Sequence, residues 1–190
     1  MYRKIQRVQK VLNEAVLHTQ RFQKASNISC PPGCHLCCLK KDISASPLEF
    51  LPLAYNLYKN NRAEEVYDKL SGDGNDGLCV IFQPLGIAGG GCSEYAHRGL
   101  ICRLFGYASN PDKFQQKRLI TCKTIKGTGA FSELSTKAIA KAPQFSDYYM
   151  RLAAIDFRLA NEQLHINEAI KRAIELVLTH FMYRNRKRGA

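Results

Sequence analysis

The chain has 190 residues, of which 45% are hydrophobic and 23% are charged. These proportions are typical of globular proteins and exclude a disordered or fibrous chain, and the length predicts one domain over residues 1–190. The 28 Lys and Arg residues outnumber the 16 Asp and Glu residues, giving a formal net charge of +12, and there are eight cysteines. That cysteine share is below the ~8–10% typical of small scaffolds built on disulfides.

The N-terminal segment lacks the features of a secretory signal. Its first ten residues are basic but do not contain the ~7–15-residue apolar core of such a signal. No stretch of the sequence approaches the ~18 apolar residues of a membrane span. We therefore expect a soluble, cytoplasmic protein with no membrane partner. Because a reducing cytosol disfavours stable disulfides, clustered cysteines there indicate metal binding or catalysis.

Three helices are predicted in the first part of the chain. Apolar residues recur at helical spacing between residues 3 and 24 and predict the first helix. Ser46 is a capping residue followed by Pro47 at the first helical position, with Glu49 three residues after the cap, so a second helix is predicted to begin there. A third helix is predicted over residues 62–70. The turn-rich segment 71–77 ends it.

The rest of the chain is predicted to be irregular first and then helical. Residues 78–125 show no persistent helical period, although residues 78–82 are compatible with a short strand and residues 86–91 with a glycine-rich loop. Ser146 is predicted to cap a helix that has Met150 and Phe157 on its apolar side, and Asn167 to open the last helix. The predicted fold is therefore mainly α, with helices around an irregular cysteine-rich centre and little β structure.

The cysteines fall into two groups of four. The first group lies within nine residues, and Pro31, Pro32 and Gly33 favour a tight turn between its first two members. Two or three residues between cysteines allow two thiolates to reach one ion, and the clustering among Pro, Gly and His argues against eight scattered core cysteines. Two groups of four cysteines fit two tetrahedral thiolate sites, or one four-cysteine cluster and a second metal. The adjacent residues Cys37 and Cys38 either bind different metals or leave one cysteine unused. The candidate metal ligands are Cys30, Cys34, Cys37, Cys38, Cys79, Cys92, Cys102 and Cys122.

Two blocks of the sequence have a specific order of residue types. Residues 30–38 read Cys-x-x-Gly-Cys-x-x-Cys-Cys and are followed by a predicted helix that carries Glu49. Residues 92–105 follow Cys-Ser-x-Tyr-x-x-Arg-Pro-x-x-Cys-Arg-x-Phe, except that Gly99 replaces the proline. The chain resembles the YkgJ-type cysteine-cluster family over about residues 30–125. The resemblance implies a zinc- or iron-chelating domain that holds an iron–sulfur cluster or zinc.

The identity of the metal stays open because cysteine-only ligation suits both zinc and iron–sulfur centres. Either centre carries about two negative charges when four thiolates hold it. Arg98 and Arg103 flank Cys102, and we expect them to assist cofactor binding by offsetting this charge and donating hydrogen bonds to sulfur.

Two other functions are alternatives to a metal-binding protein. Cys30, Cys34 and Cys37 have the spacing found in radical S-adenosylmethionine enzymes. However, Leu36 replaces the usual aromatic residue, and no strand–helix series follows that could build a barrel. A redox or methyl-transfer enzyme with an open cluster site stays an alternative with no assigned catalytic residue. The basic residues of segments 1–41 and 184–188 make nucleic-acid binding with a structural zinc the other alternative.

Overall fold

The computed structural model describes residues 1–72, 77–84 and 91–186, with backbone alone for residues 183–186. Its described residues are mainly helical, which confirms the predicted fold class. The helices are α1 (Tyr2–Ser26), α2 (Leu51–Lys59), α3 (Ala63–Ser71), α4 (Leu100–Leu104), α5 (Lys123–Lys126), α6 (Gly129–Ser132), α7 (Thr136–Ile139), α8 (Phe145–Ala153), α9 (Phe157–Asn161) and α10 (Ile166–Arg186), with 3-10 turns at Leu36–Leu39, Pro47–Phe50 and Tyr95–His97.

The strands are short and form three separate antiparallel pairs within the described residues. Their registers align Ser44 with His165, Phe82 with Cys92, and Ser109 with Leu119. No strand–helix barrel is present in this part of the chain, in agreement with the sequence argument against one. The strands are β1 (Ser44–Ala45), β2 (Phe82–Gln83), β3 (Gly91–Cys92), β4 (Ser109–Pro111), β5 (Lys117–Leu119) and β6 (Leu164–His165).

The hydrophobic core lies where α10 packs against α2, α3 and the 3-10 turn before α2, and where α1 packs against α2 and α4. Leu12, Leu53, Leu57 and Ile174 are completely buried in it. Burying a side chain of this size contributes about 1.5–3 kcal/mol to folding, so these contacts hold the helices in place. Among the described residues, no helix combines the length and the hydropathy needed to cross a bilayer.

The predictions for the first three helices are confirmed. The structure extends the first helix by a residue or two at each end, and Val11 is buried in it while Val16 is only half-buried. At the second helix, the Glu49 side chain accepts hydrogen bonds from the Ser46 N–H (2.9 Å) and hydroxyl (3.2 Å). A 3-10 turn begins here and leads directly into α2. The third helix begins one residue later and ends one residue later than predicted.

The middle of the chain differs from its prediction. The strand expected over residues 78–82 is confined to Phe82–Gln83, and the region also contains α4, α5 and the β4–β5 hairpin. Helices of four or five residues are too short to produce a detectable 3.6-residue period, and the hairpin strands are too polar for a strand signal. The predicted turn over 71–77 and loop over 86–91 fall largely on residues 73–76 and 85–90, which lie outside the described residues.

The predicted start and apolar side of α8 are wrong. The helix begins at Phe145 after Gln144, so Ser146 lies inside its first turn. Met150 and Phe157 are 63% and 74% exposed rather than buried. The sequence period predicts one continuous helix, but the chain forms two. Helix α8 ends at Ala153, and the Asp156 carboxylate caps α9 by accepting the Leu159 N–H.

The last helix is confirmed, although it begins at Ile166 and its start is not made by Asn167 acting as a cap. Its sequence period predicts six inward residues, of which Ile170, Ala173, Ile174 and Val177 are buried, whereas Leu178 and Phe181 are half-buried. The Asn167 side chain contacts a different segment, described below.

Glu49 and Phe50 of the helical core pack closely against Gly99, which precedes the cysteine-bearing helix α4. The second carboxylate oxygen of Glu49 accepts the Ile101 N–H at 2.9 Å, at the start of α4. Glu49 is fully buried, and burial raises the pKa of its carboxyl. A Cβ on Gly99 would lie 2.7 Å from the Phe50 ring and 2.9 Å from the Glu49 carboxylate. The absence of a side chain at residue 99 therefore allows this contact.

Replacing Gly99 with alanine should destabilise the protein by about 1–3 kcal/mol, because the added methyl group must displace Phe50 or Glu49 from a packed interior. Urea unfolding measures the effect. The matched control is Gly129→Ala, because no atom lies within 4 Å of the Cβ position there. Equal stability of the two variants would contradict the role given to Gly99.

Candidate metal centre

The first cysteine pair is separated by a tight turn. The Cys34 N–H donates to the Pro31 carbonyl at 3.1 Å, and Gly33 has a φ of 73°. Proline followed by glycine with positive φ is the preferred central pair of a type II turn, so the predicted turn is confirmed. It brings the chain back on itself between Cys30 and Cys34.

The adjacent cysteines lie in the 3-10 turn Leu36–Leu39, where the Cys38 N–H donates to the His35 carbonyl at 2.8 Å. Their two thiols are hydrogen-bonded to each other. This bond raises the pKa of Cys37 and lowers the pKa of Cys38, so Cys37 holds the shared proton and Cys38 is the better thiolate.

The β2–β3 hairpin positions the next two thiols, since Cys79 precedes β2 and Cys92 pairs with Phe82. Burial raises the pKa of Cys79 to about 11 and also raises the pKa of Cys92. At each sulfur this effect is opposed by a backbone N–H from two residues further along, that of Ile81 for Cys79 and that of Glu94 for Cys92. Both sulfurs therefore already have a donor suited to a thiolate.

The Asn167 side chain fixes the backbone on both sides of Cys79. Its oxygen accepts the Val80 N–H at 2.9 Å, and its amide donates to the Leu78 carbonyl at 2.7 Å. Because Asn167 is at the buried start of α10, it ties the Cys79 turn to the helical core. The local sequence pattern indicates only a helix start at Asn167, because residues 79 and 167 are 88 positions apart in the chain.

Helix α4 carries Cys102, which is half-buried and lines a cavity described below. Burial is the main reason that the pKa of Cys102 is raised, and the negative charges of Cys79 and Glu49 raise it further, whereas Arg98 lowers it. A neutral thiol is therefore the stable form of Cys102 until a cation arrives to replace its proton.

Charge repulsion between the thiolates provides a basis for grouping the sulfurs. Cys34, Cys37 and Cys122 raise the pKa of Cys30, whereas Cys79, Cys92 and Cys102 raise the pKa of Cys38. Cys102 is likewise affected by Cys79 and Cys92. On these interactions we group the eight thiols into two sets that meet at the adjacent pair. The first set is Cys30, Cys34, Cys37 and Cys122, and the second set is Cys38, Cys79, Cys92 and Cys102.

The second set surrounds a cavity of about 350 Å³. All four of its thiols line the cavity, and Cys37 reaches it as well. The remaining wall is mostly apolar, and its charged members are Arg98, Lys40 and Asp42. The apolar wall partly shields these thiols from water, which strengthens their interaction with any bound cation.

The two arginines beside Cys102 have different contacts. Arg98 lines the cavity, stacks its guanidinium 3.5 Å from the centre of the Tyr95 ring, and lowers the pKa of Cys92 and Cys102. Arg103 is buried and donates to the backbone carbonyls of Arg98 (2.7 Å) and Ala96 (2.6 Å). Arg98 thus faces the thiols, whereas Arg103 holds the loop that carries Arg98. Hydrogen bonding from either arginine to metal-bound sulfur stays a prediction.

Tyr107 supports the first set and was not singled out in the sequence. Its hydroxyl oxygen accepts the Cys30 N–H at 2.8 Å, and its O–H donates to the Cys30 sulfur, which lowers the pKa of Cys30 against the larger effect of burial. Burial and this same bond raise the pKa of Tyr107. Tyr107 lies just after the second cysteine block, where no spacing rule marks it.

The donor set fits a thiolate-bound metal, because each set offers four sulfurs and two of the sulfurs have backbone donors. Across residues 1–72, 77–84 and 91–186, no three His, Cys, Asp or Glu side chains are arranged closely enough to hold one ion. Metal binding would therefore have to draw the thiols of a set inward.

Comparison with known proteins identifies the family. The CxxCxxCC family model, described as "Putative zinc- or iron-chelating domain", matches residues 29–123, which are half of the chain and include all eight cysteines. No curated protein and no solved structure matches the chain. This match agrees with the resemblance inferred from the two cysteine blocks. The chain belongs to the CxxCxxCC family of zinc- or iron-chelating domains.

Proposed function

We propose that the chain holds metal at two neighbouring thiolate sites, one formed by the first set of cysteines and one by the second. This proposal rests on the grouping of the eight thiols into two sets of four, with Cys37 in the first set and Cys38 in the second. Each set supplies the four sulfurs that a tetrahedral zinc or an iron–sulfur cluster needs. With all four positions of each site taken by protein, neither site offers the open iron that binding of S-adenosylmethionine for methyl transfer would require.

The cavity of the second set favours an iron–sulfur cluster over a single zinc ion. Four sulfurs around zinc lie about 2.3 Å from the ion and enclose almost no free volume. The second set borders about 350 Å³ of mostly apolar space, so a polynuclear centre would require less inward movement of its thiols than a single zinc ion would. Backbone donors to Cys79 and Cys92 are also the kind of contact that tunes such a cluster. For the first set, zinc and an iron–sulfur cluster are equally supported.

Arg98 would offset the negative charge of the second site. Four thiolates leave about two negative charges on either kind of centre. Arg98 lines the cavity and lowers the pKa of Cys92 and Cys102, so its charge acts on two sulfurs of the second set. The proposal also includes a reducing compartment such as the cytoplasm, because the thiols must stay reduced to bind.

Removing one cysteine from each set should remove one metal site at a time. We expect Cys34→Ser to remove the metal of the first set and Cys102→Ser to remove the metal of the second set, each with a lower melting temperature, because ligation contributes folding energy. The double variant should bind no metal. Elemental analysis of the purified proteins, together with thermal unfolding, measures both effects. Unchanged metal content and melting in the two single variants would contradict the proposal.

The adjacent cysteines provide a sharper test of the division into two sets. Cys37→Ser should affect only the centre that Cys34→Ser affects, and Cys38→Ser only the centre that Cys102→Ser affects. Combining Cys37→Ser with Cys34→Ser should then add no further metal loss, whereas combining it with Cys102→Ser should. The division is wrong if Cys37→Ser and Cys38→Ser deplete the same centre.

Tyr107→Phe should weaken metal binding at the first set by about tenfold or more, because it removes the hydroxyl that contacts Cys30 while keeping the ring. Competition with a chelator measures the affinity. Tyr67→Phe is the matched control, because it removes a hydroxyl that donates to Glu175 at 3.1 Å, away from the cysteines. Equal affinities of the two variants would show that Tyr107 has no role in positioning Cys30.

A further inference from the structure

The segment between β4 and α8 carries an unusual excess of positive charge. Residues 112–141 contain seven Lys or Arg residues and two acidic residues, Asp112 and Glu133. Most of the cationic side chains are exposed, and Lys117 is half-buried. We call the exposed cations of this segment the basic surface, which consists of Lys113, Arg118, Lys123, Lys126, Lys137 and Lys141.

The lysines of the basic surface have no acidic partners among the described residues. Arg118 forms an ion pair with Asp112 at 3.0 Å, and no other cation of this surface does so. Lys117 is used internally, donating to the Ala140 carbonyl at 3.1 Å. The lysine charges are therefore available to an anionic partner.

Helix α1 extends the basic surface at its C-terminal end. The His18 ring contacts the Lys141 carbonyl at 3.3 Å and the Tyr148 hydroxyl at 3.0 Å, which docks this half of α1 beside the segment. Arg21 and Lys24, one and two turns further along α1, are exposed and form no ion pair within the described residues. The positive surface thus spans two separate parts of the chain.

The N-terminal half of α1 is less suited to bind an anion than its sequence suggests. Lys4 forms an ion pair with Asp156, Arg7 donates to the Ala154 carbonyl, and Glu14 pairs with Arg151. The other predicted basic segment, residues 184–188, has no described side chains. Residues 113–141 are therefore a candidate surface in addition to the basic segments that the sequence indicates.

An exposed aromatic ring lies at the edge of this surface. Phe114 is at the tip of the β4–β5 hairpin, 68% exposed, with the Lys113 ammonium 4.8 Å from the centre of its ring. The tip is held by the Asp112 carboxylate, which accepts the N–H groups of Phe114 (2.8 Å) and Gln116 (3.0 Å). The ring is thus presented to solvent on an ordered turn beside the Lys113 ammonium.

We propose that the basic surface binds single-stranded nucleic acid, with its lysines contacting phosphates and Phe114 stacking on an unpaired base. Exposed lysines act as point charges that attract phosphate without demanding a fixed geometry. A solvent-exposed ring beside such charges is the arrangement used to bind single strands, because every base has a face on which it can stack. A duplex keeps its bases paired and offers no such face to Phe114.

Fluorescence anisotropy of the metal-loaded protein tests this proposal, with a labelled oligouridylate and a labelled oligothymidylate as probes. A labelled duplex and vesicles with anionic headgroups serve as competing ligands. We expect both single strands to bind, with an affinity that falls as salt increases, and we expect the duplex and the vesicles to bind more weakly. Absence of single-strand binding at low salt, or stronger binding to duplex or vesicles, would overturn the proposal.

Two matched pairs of variants locate the binding surface. Lys126→Ala with Lys137→Ala should reduce the slope of log affinity against log salt by about 1.4, since each phosphate contact on a single strand contributes about 0.7. Lys59→Ala with Lys69→Ala, which removes two exposed lysines on α2 and α3, should leave the slope unchanged. Equal effects of the two double variants would mean that net charge alone attracts the strand and would overturn the assignment.

Phe114→Ala should weaken single-strand binding about tenfold through the loss of stacking. Phe157→Ala is its control, because Phe157 is similarly exposed, at 74%, but lies on α9. Both substitutions remove an exposed ring, so neither is expected to disturb the core. If the two phenylalanine variants bind the single strand equally well, Phe114 does not contact a base.

Discussion

A fully buried carboxylate, that of Glu49, joins the two parts of this protein. One of its oxygens accepts hydrogen bonds from Ser46 at the start of the α2 region, and the other accepts the Ile101 N–H at the start of α4. Removing a buried acceptor of this kind leaves its donors unpaired, at a cost of about 1–3 kcal/mol each. The position of Cys102 relative to the helical core depends on these bonds and on the absence of a side chain at Gly99.

The cysteine sulfurs are held between opposing influences. Burial favours the neutral thiol at Cys79 and Cys102, whereas backbone N–H groups and Arg98 favour the thiolate. A bound cation would tip this balance, because it replaces the protons and removes the cost of burying unpaired charge. The hydrogen bond between Cys37 and Cys38 occupies the boundary between the two sets, so the two centres would lie close together.

The sequence was most informative where a local rule determines the structure. The capping residues Ser46 and Glu49 and the turn at Gly33 depend on a few neighbouring residues, and both are found as predicted. Short helices such as α4 lack a detectable period, and the exposure of Phe157 depends on a break in the chain that periodicity does not register.

Contacts between distant parts of the chain escaped the sequence analysis for a different reason. Asn167 supports the Cys79 turn, and Tyr107 contacts Cys30, through pairings that only the folded chain creates.

The most direct test of two thiolate centres is a count of iron, zinc and acid-labile sulfide per chain, made on protein purified without oxygen and accompanied by its visible absorption spectrum. The account predicts metal in both sets, with iron and sulfide in equal amounts and a broad visible band from the second set. A folded sample that contains neither iron nor zinc would contradict it.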